Sequence, residues 1–251
     1  MKERIKGIIV LLPLFIAFFF GNVVVSIITS LLSILAFMEL KNALSNKQIR
    51  LLVLPAYCIF TYLILHNFGI EAIVPVDIFI AFMAIALMVS MTFHQINKLS
   101  VMITVPALLY IFAPFAFISL IYKYEVALAG LIFVISFSTD VFAYLTGEFF
   151  GKKKLAPKIS PNKTIEGSLG GLICCTIISA LFAFLTGLDI IYVAWIGALG
   201  SIVAQCGDLF ASSIKRYCGI KDFGKLIPGH GGILDRFDSV MFVAVFIQLF
   251  T

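Results

Sequence analysis

Long apolar runs separated by short basic segments leave this chain one medium in which to fold. About nine such runs follow one another, over roughly 7–20, 22–40, 51–65, 73–93, 99–122, 126–150, 167–186, 190–214 and 233–251. A helix needs about 20 apolar residues to cross a bilayer core, and most of the runs reach that length. The first and third are short, so eight spans is the alternative count. None shows the two-residue alternation of a barrel strand. Composition points the same way: 62% of the residues are apolar and only 12% charged, too few charges to cover a soluble domain. A soluble globular domain, a disordered chain, a disulfide scaffold and a free nucleic-acid binder are all excluded. The five cysteines are odd in number and form no CxxC pair, so they read as small buried hydrophobes. The basic stretch Met1–Lys6 leads straight into an apolar run without a small-residue cleavage site, which reads as a first anchor. The expected fold class is an all-α polytopic membrane protein.

Lysine and arginine set the orientation. With the N-terminus in the cytoplasm, every one of the 18 Lys and Arg residues except Lys123 falls in a cytoplasmic segment. That asymmetry predicts nine crossings, N-in and C-out. The segments 151–166 and 215–236 hold more positive charge than topology alone requires. The excess points to an anionic ligand or anionic lipid at the cytoplasmic face.

Some polar residues are not explained by membrane burial. In the eighth run Ser201, Gln205, Asp208, Ser212 and Lys215 are spaced 4, 3, 4 and 3 apart, one face of a helix. In the sixth run Ser136, Asp140, Tyr144, Gly147 and Gly151 repeat at 4, 4, 3 and 4. The ninth opens with Asp235, Asp238 and Ser239. An Asp at the middle of a bilayer costs about 2.5–3.5 kcal/mol on insertion scales. The carboxylates Asp140, Asp208 and Asp235 therefore read as a set converging near the cytoplasmic boundary. They would repel one another unless a cation joins them, and oxygen-only ligands favour Mg²⁺ over Zn²⁺. An ion-paired packing network with Lys215, Arg216 and Arg236 remains open on the same residues, as does a proton or ion pathway.

The glycines divide. Gly147 and Gly171 suit close helix packing. Gly167 follows Lys163, Thr164 and Glu166 at the start of a run, where free N–H groups at a helix N-terminus would seat a phosphate. The spacing around Gly147–Lys153 is not that of a Walker loop. The densest segment is Ser213–Asp238. It holds Lys215, Arg216, Lys221 and Lys225, then the turn Pro228-Gly229-His230-Gly231-Gly232, then Asp235 and Asp238. Cations, a glycine turn whose N–H groups can approach an anion, and carboxylates at its end suit a polyphosphate–Mg²⁺ complex.

This segment resembles the signature of the phosphatidate cytidylyltransferases, or CDP-diacylglycerol synthases. The resemblance is carried by Ser213, Lys215, Arg216, Lys221, Asp222, Gly224, Pro228, His230, Gly231, Gly232, Asp235, Arg236 and Asp238. Upstream blocks at Asp140–Tyr144, Ser160–Gly167 and Gly207–Leu209 are similar as well. The resemblance implies transfer of CMP from CTP to phosphatidate, releasing pyrophosphate and forming CDP-diacylglycerol. It further implies a multi-pass enzyme of the cell membrane, homodimeric and Mg²⁺-dependent with a second cation, whose active site faces the cytoplasm. CTP, phosphatidate and membrane lipid are the implied partners, and nucleic acid is not one.

In that reading residues 1–125 are a lipid and dimer scaffold and residues 126–251 the catalytic domain. Asp208 and Asp235 lead as metal ligands, with Asp140 and Asp238 beside them. Lys215, His230 and Arg236 join Asp208 and Asp235 in catalysis. Substrate contacts fall to Lys163, Thr164, Glu166, Gly167, Ser213, Arg216, Lys221, Asp222, Gly231 and Gly232. Phosphatidate is already ionised near neutral pH, so positioning and charge stabilisation carry the expected mechanism. The rivals are a CTP-dependent polyprenol kinase and a secondary transporter; the latter would call for internal repeats, which the two halves do not display.

Overall fold

The computed structural model describes residues 20–67, 85, 88–89, 92, 98–226 and 231–251. Its elements run α1 (Asn22–Ser45), α2 (Val53–Asn67), α3 (Lys98–Tyr124), α4 (Val126–Phe150), β1 (Lys154–Ala156), β2 (Ser160–Thr164), α5 (Ile165–Thr186), α6 (Ile190–Cys218) and α7 (Leu234–Gln248). The all-helical membrane class expected from the apolar runs is what forms. Among the described residues five helices, α1, α3, α4, α5 and α6, are long and apolar enough to cross a membrane. The runs at 7–20 and 73–93 lie almost wholly outside the described residues. The short third run becomes the 15-residue α2. The ninth run, expected as a full span, yields a helix of 15 residues. It begins only where the glycine turn ends, and this length is short of the ~20 residues a span requires.

The chain divides into two compact units, Met1–Ser119 with Cys218–Asp235, and Leu120–Tyr217 with Arg236–Thr251. The signature segment is thereby shared between them.

In the first unit α1 and α3 meet through Phe37 and Phe112, ring centroids 5.9 Å apart, and through a hydrogen bond between the hydroxyls of Ser26 and Ser119. Phe37, Ile49, Ile111, Phe115 and Ile118 are fully buried. Two hydroxyls of α3 receive backbone N–H groups of the loop before α2: Arg50 N donates to Ser100 Oγ at 2.9 Å and Leu52 N to Thr104 Oγ1 at 3.2 Å. Serines and threonines inside an apolar helix thus supply acceptors to the backbone of this loop.

In the second unit small residues let helices approach to backbone distance, the usual basis of association where lipid removes the hydrophobic driving force. A Cβ on Gly167 would lie 2.6 Å from the carbonyl oxygen of Ala143, and one on Gly171 2.9 Å from that of Thr139. These glycines seam α5 to α4. Gly207 does the same for α6 and α7, where a Cβ would stand 2.8 Å from both Asp238 O and the Phe242 ring.

Candidate active site

The polar stripe on α6 is a continuous seam in the second unit. Ser201 Oγ accepts from Thr139 Oγ1 at 3.0 Å. Gln205 donates to the Ser168 carbonyl at 3.2 Å and accepts from the Ser168 hydroxyl. One turn on, Asp208 Oδ2 lies 2.5 Å from Lys163 Nζ, and Oδ1 accepts from Ser212 Oγ at 3.3 Å. At the end of the stripe Lys215 Nζ is 4.0 Å from Asp238 Oδ2. Each residue picked out by helical spacing therefore bonds to a neighbour of this seam.

Three carboxylates share it. Ser239 ties two of them, donating its hydroxyl to Asp140 Oδ2 at 3.0 Å and its N–H to Asp238 Oδ1 at 2.9 Å. Asp140, Asp208 and Asp238 all act electrostatically on one another, and Lys163, Lys215 and Arg236 act on the group as counter-charges. Access differs along the seam. The Lys163 and Asp208 side chains are 26% and 25% exposed, whereas Lys215 and Asp238 are 11% and 10% exposed. The first pair is partly exposed and the second nearly buried.

Lys163 is delivered by the β1–β2 hairpin, an antiparallel pair with Lys154 opposite Thr164 and Ala156 opposite Ser160. No alternation in the sequence announces it, because strands of three and five residues are too short for a period to register. Its joint to α5 uses three predicted substrate contacts. Thr164 caps α5, its Oγ1 accepting from Gly167 N at 3.1 Å. Glu166 accepts from Lys152 N at 3.0 Å and Lys153 N at 3.2 Å, closing the hairpin onto the helix. The Gly167 N–H expected to meet phosphate is thus committed to Thr164, and the glycine's second duty is packing against α4. Arg216 Nε donates to the Ile159 carbonyl at 3.2 Å, tying α6 to the hairpin turn.

The signature residues Lys221, Asp222, Gly224, Gly231, Gly232 and Asp235 lie in the first unit. Asp235 Oδ2 accepts from Gly232 N at 3.0 Å and Phe223 N at 2.8 Å. Gly231 has φ +88°, a conformation that favours glycine. A Cβ there would also stand 2.8 Å from Asp235 Oδ2. Sequence reasoning missed Glu39. It is buried on α1 and accepts from Ile233 N at 3.0 Å and Leu234 N at 2.9 Å. The signal available was a lone acid near the end of the second apolar run. Lys221 and Asp222, like Ser213 of α6 in the second unit, are exposed. Arg236, in the second unit, is half-buried. His230 falls in residues 227–230, outside the described residues.

Among the described residues no three His, Cys, Asp or Glu side chains are grouped so as to hold a metal ion by themselves. Magnesium does not demand such a cage: it is generally held by one or two carboxylates, with phosphates and water completing the shell. The seam's carboxylates offer the hard oxygen donors of that mode, with Asp208 Oδ2 taken by the Lys163 ammonium in this structure.

Five helices long and apolar enough to span, with a carboxylate–lysine seam among them, define a polytopic membrane protein. The chain matches the cytidylyltransferase family over residues 2–251, and it belongs to that family. It is 38% identical over 259 residues to the phosphatidate cytidylyltransferase of Staphylococcus aureus (strain COL), an alignment covering 97% of this chain and 96% of that one. It is 50% identical over 113 residues to the corresponding protein of Staphylococcus haemolyticus, covering 44% of each. With that of Bacillus subtilis (strain 168) it shares 47% over 116 residues, covering 45% of this chain and 43% of the relative. The alignments to the last two thus span less than half of those proteins.

Proposed function

We infer that this chain is a phosphatidate cytidylyltransferase, transferring CMP from CTP to phosphatidate. The observation that carries the reading is the Lys163–Asp208 pair, part of a seam of three carboxylates and two lysines. A site that unites two anions and a divalent cation needs both signs of charge in one place. The family and the names of its relatives support the same reaction.

A phosphate oxygen of phosphatidate attacks the α-phosphorus of CTP. The bond from that phosphorus to the oxygen bridging the β-phosphorus breaks, and pyrophosphate leaves. Lys163 and Lys215 neutralise charge on the triphosphate and the leaving group. Arg216, Lys221 and Arg236 serve the lipid phosphate. Thr164 and Glu166 fix the hairpin that carries Lys163. From the family resemblance Asp208 and Asp235 are the proposed Mg²⁺ ligands, each in its own unit, and Asp140 and Asp238 complete the charge balance around Asp208. A bound Mg²⁺ would supply charge stabilisation at the phosphate oxygens. Tying one oxygen of Asp235 to backbone N–H groups fixes its orientation, as is usual for ligating carboxylates.

The proposed setting is the cell membrane, with nine spans, N-in and C-out, and the site toward the cytoplasm. The distribution of basic residues supports that orientation. A homodimer follows from the family resemblance. Purified protein with phosphatidate and CTP labelled at the α-phosphate tests the reaction. Label in the lipid fraction with equal pyrophosphate release is expected. No label in the lipid, but labelled CDP released once a lipid alcohol is added, would replace this reading with a kinase.

A further inference from the structure

We propose that Glu39 is a positioning residue for cytidylyl transfer, acting through Asp235; this rests on the activity inferred above. Glu39 lies on the apolar helix α1 and is only 9% exposed. An ionisable group kept at such a place is a functional candidate by default, because its burial costs stability. Each of its carboxylate oxygens takes one backbone N–H, Oε1 that of Ile233 and Oε2 that of Leu234. The neighbouring N–H, of Gly232, goes instead to Asp235 Oδ2, together with that of Phe223. Three consecutive donors at the start of α7 are thereby divided between two carboxylates.

That division orients Asp235. N–H groups at a helix N-terminus attract whatever anion is nearest. With Glu39 satisfying the donors of Ile233 and Leu234, Asp235 is left with a single arrangement, one oxygen fixed by Gly232 and Phe223. Without Glu39 the Ile233 and Leu234 donors compete for Asp235, and its orientation is no longer unique. The surroundings are cut to fit the clamp. A Cβ at either Gly224 or Gly232 would collide with the Glu39 carboxylate, so both positions hold the one residue that leaves room for it.

Glu39→Gln is nearly isosteric but turns an NH₂ group toward one of two N–H donors, so one donor loses its acceptor. Gly224→Ala displaces the same carboxylate without changing charge. The test measures kcat, both KM values and the thermal midpoint for wild-type, Glu39→Gln and Gly224→Ala full-length protein in phosphatidate–detergent micelles. The expected result is a kcat lower by roughly 10- to 100-fold, as for other groups that orient a site's carboxylate. KM for CTP and for phosphatidate should hardly move. A merely structural role would reduce the amount of folded enzyme without this split. Wild-type kcat in folded Glu39→Gln, or a loss confined to KM, would overturn the proposal. Should Glu39→Gln not fold, Gly224→Ala decides by the same two outcomes. A wild-type protein inactive on these substrates would overturn the activity reading, and the proposal with it.

Discussion

Lys163 Nζ lies 2.5 Å from Asp208 Oδ2, joining a short hairpin to the polar face of α6. The two side chains are only about three-quarters buried, and partly exposed ion pairs contribute roughly 0–1 kcal/mol to stability. A pair worth so little to the fold is placed for something else. Lys163→Met should therefore leave thermal stability almost unchanged. It should lower kcat/KM for CTP by about 100-fold, the scale seen when a charge-stabilising donor is removed. Steady-state kinetics beside a thermal melt check both halves.

Lys215 and Asp238 behave differently because they are buried. Asp238→Ala removes one counter-charge of the Lys215 ammonium, and breaking a buried pair costs up to about 3–5 kcal/mol. The double variant Lys215→Met/Asp238→Leu removes both charges and should recover much of that stability while remaining inactive. Denaturation of the single and double variants, compared with their turnover, separates the charge's structural cost from its chemical use.

Gly207 sets the distance between α6 and α7. Gly207→Ala would press a methyl group onto Asp238 O and the Phe242 ring, each at 2.8 Å. Overpacking of this kind costs about 1–3 kcal/mol. Since Gly207 adjoins Asp208, activity should fall more than the loss of stability explains. A reduced thermal midpoint with reduced kcat in the folded fraction is the expected pair of results.

Glu166 holds the hairpin to α5 through the N–H groups of Lys152 and Lys153. Glu166→Gln should speed hydrogen exchange at those two amides. It should lower activity less than Lys163→Met does, because the hairpin keeps its strand pairing.

Periodicity made the second unit's polar seam legible. The Ser201–Lys215 stripe and the Asp238–Ser239 pair are local patterns, and a helix turns such spacing into a shared face. Asp140 was found the same way. What escaped was non-local or too short to have a period. Glu39 reaches the turn before α7 across 194 residues, and nothing local to an acid at a helix end names its partner. The β1–β2 hairpin is brief, and Pro161 interrupts its second strand. Gly167 drew a phosphate-binding expectation from its place at a helix N-terminus. Its N–H goes instead to the Thr164 cap, and a contact with Ala143 explains its missing side chain. Sequence identifies a helix start, but only packing shows which donors are already used.

The most direct test of the seam as the transfer site compares wild-type protein with Asp208→Asn. Both would be purified folded, stripped with EDTA and titrated with Mg²⁺ in the presence of phosphatidate and α-labelled CTP. The account predicts that wild-type activity disappears with the metal and returns on titration, and that Asp208→Asn stays at least about 100-fold less active at every Mg²⁺ concentration. Asp208→Asn turning over at the wild-type rate, or wild-type transfer that persists in EDTA, would contradict it.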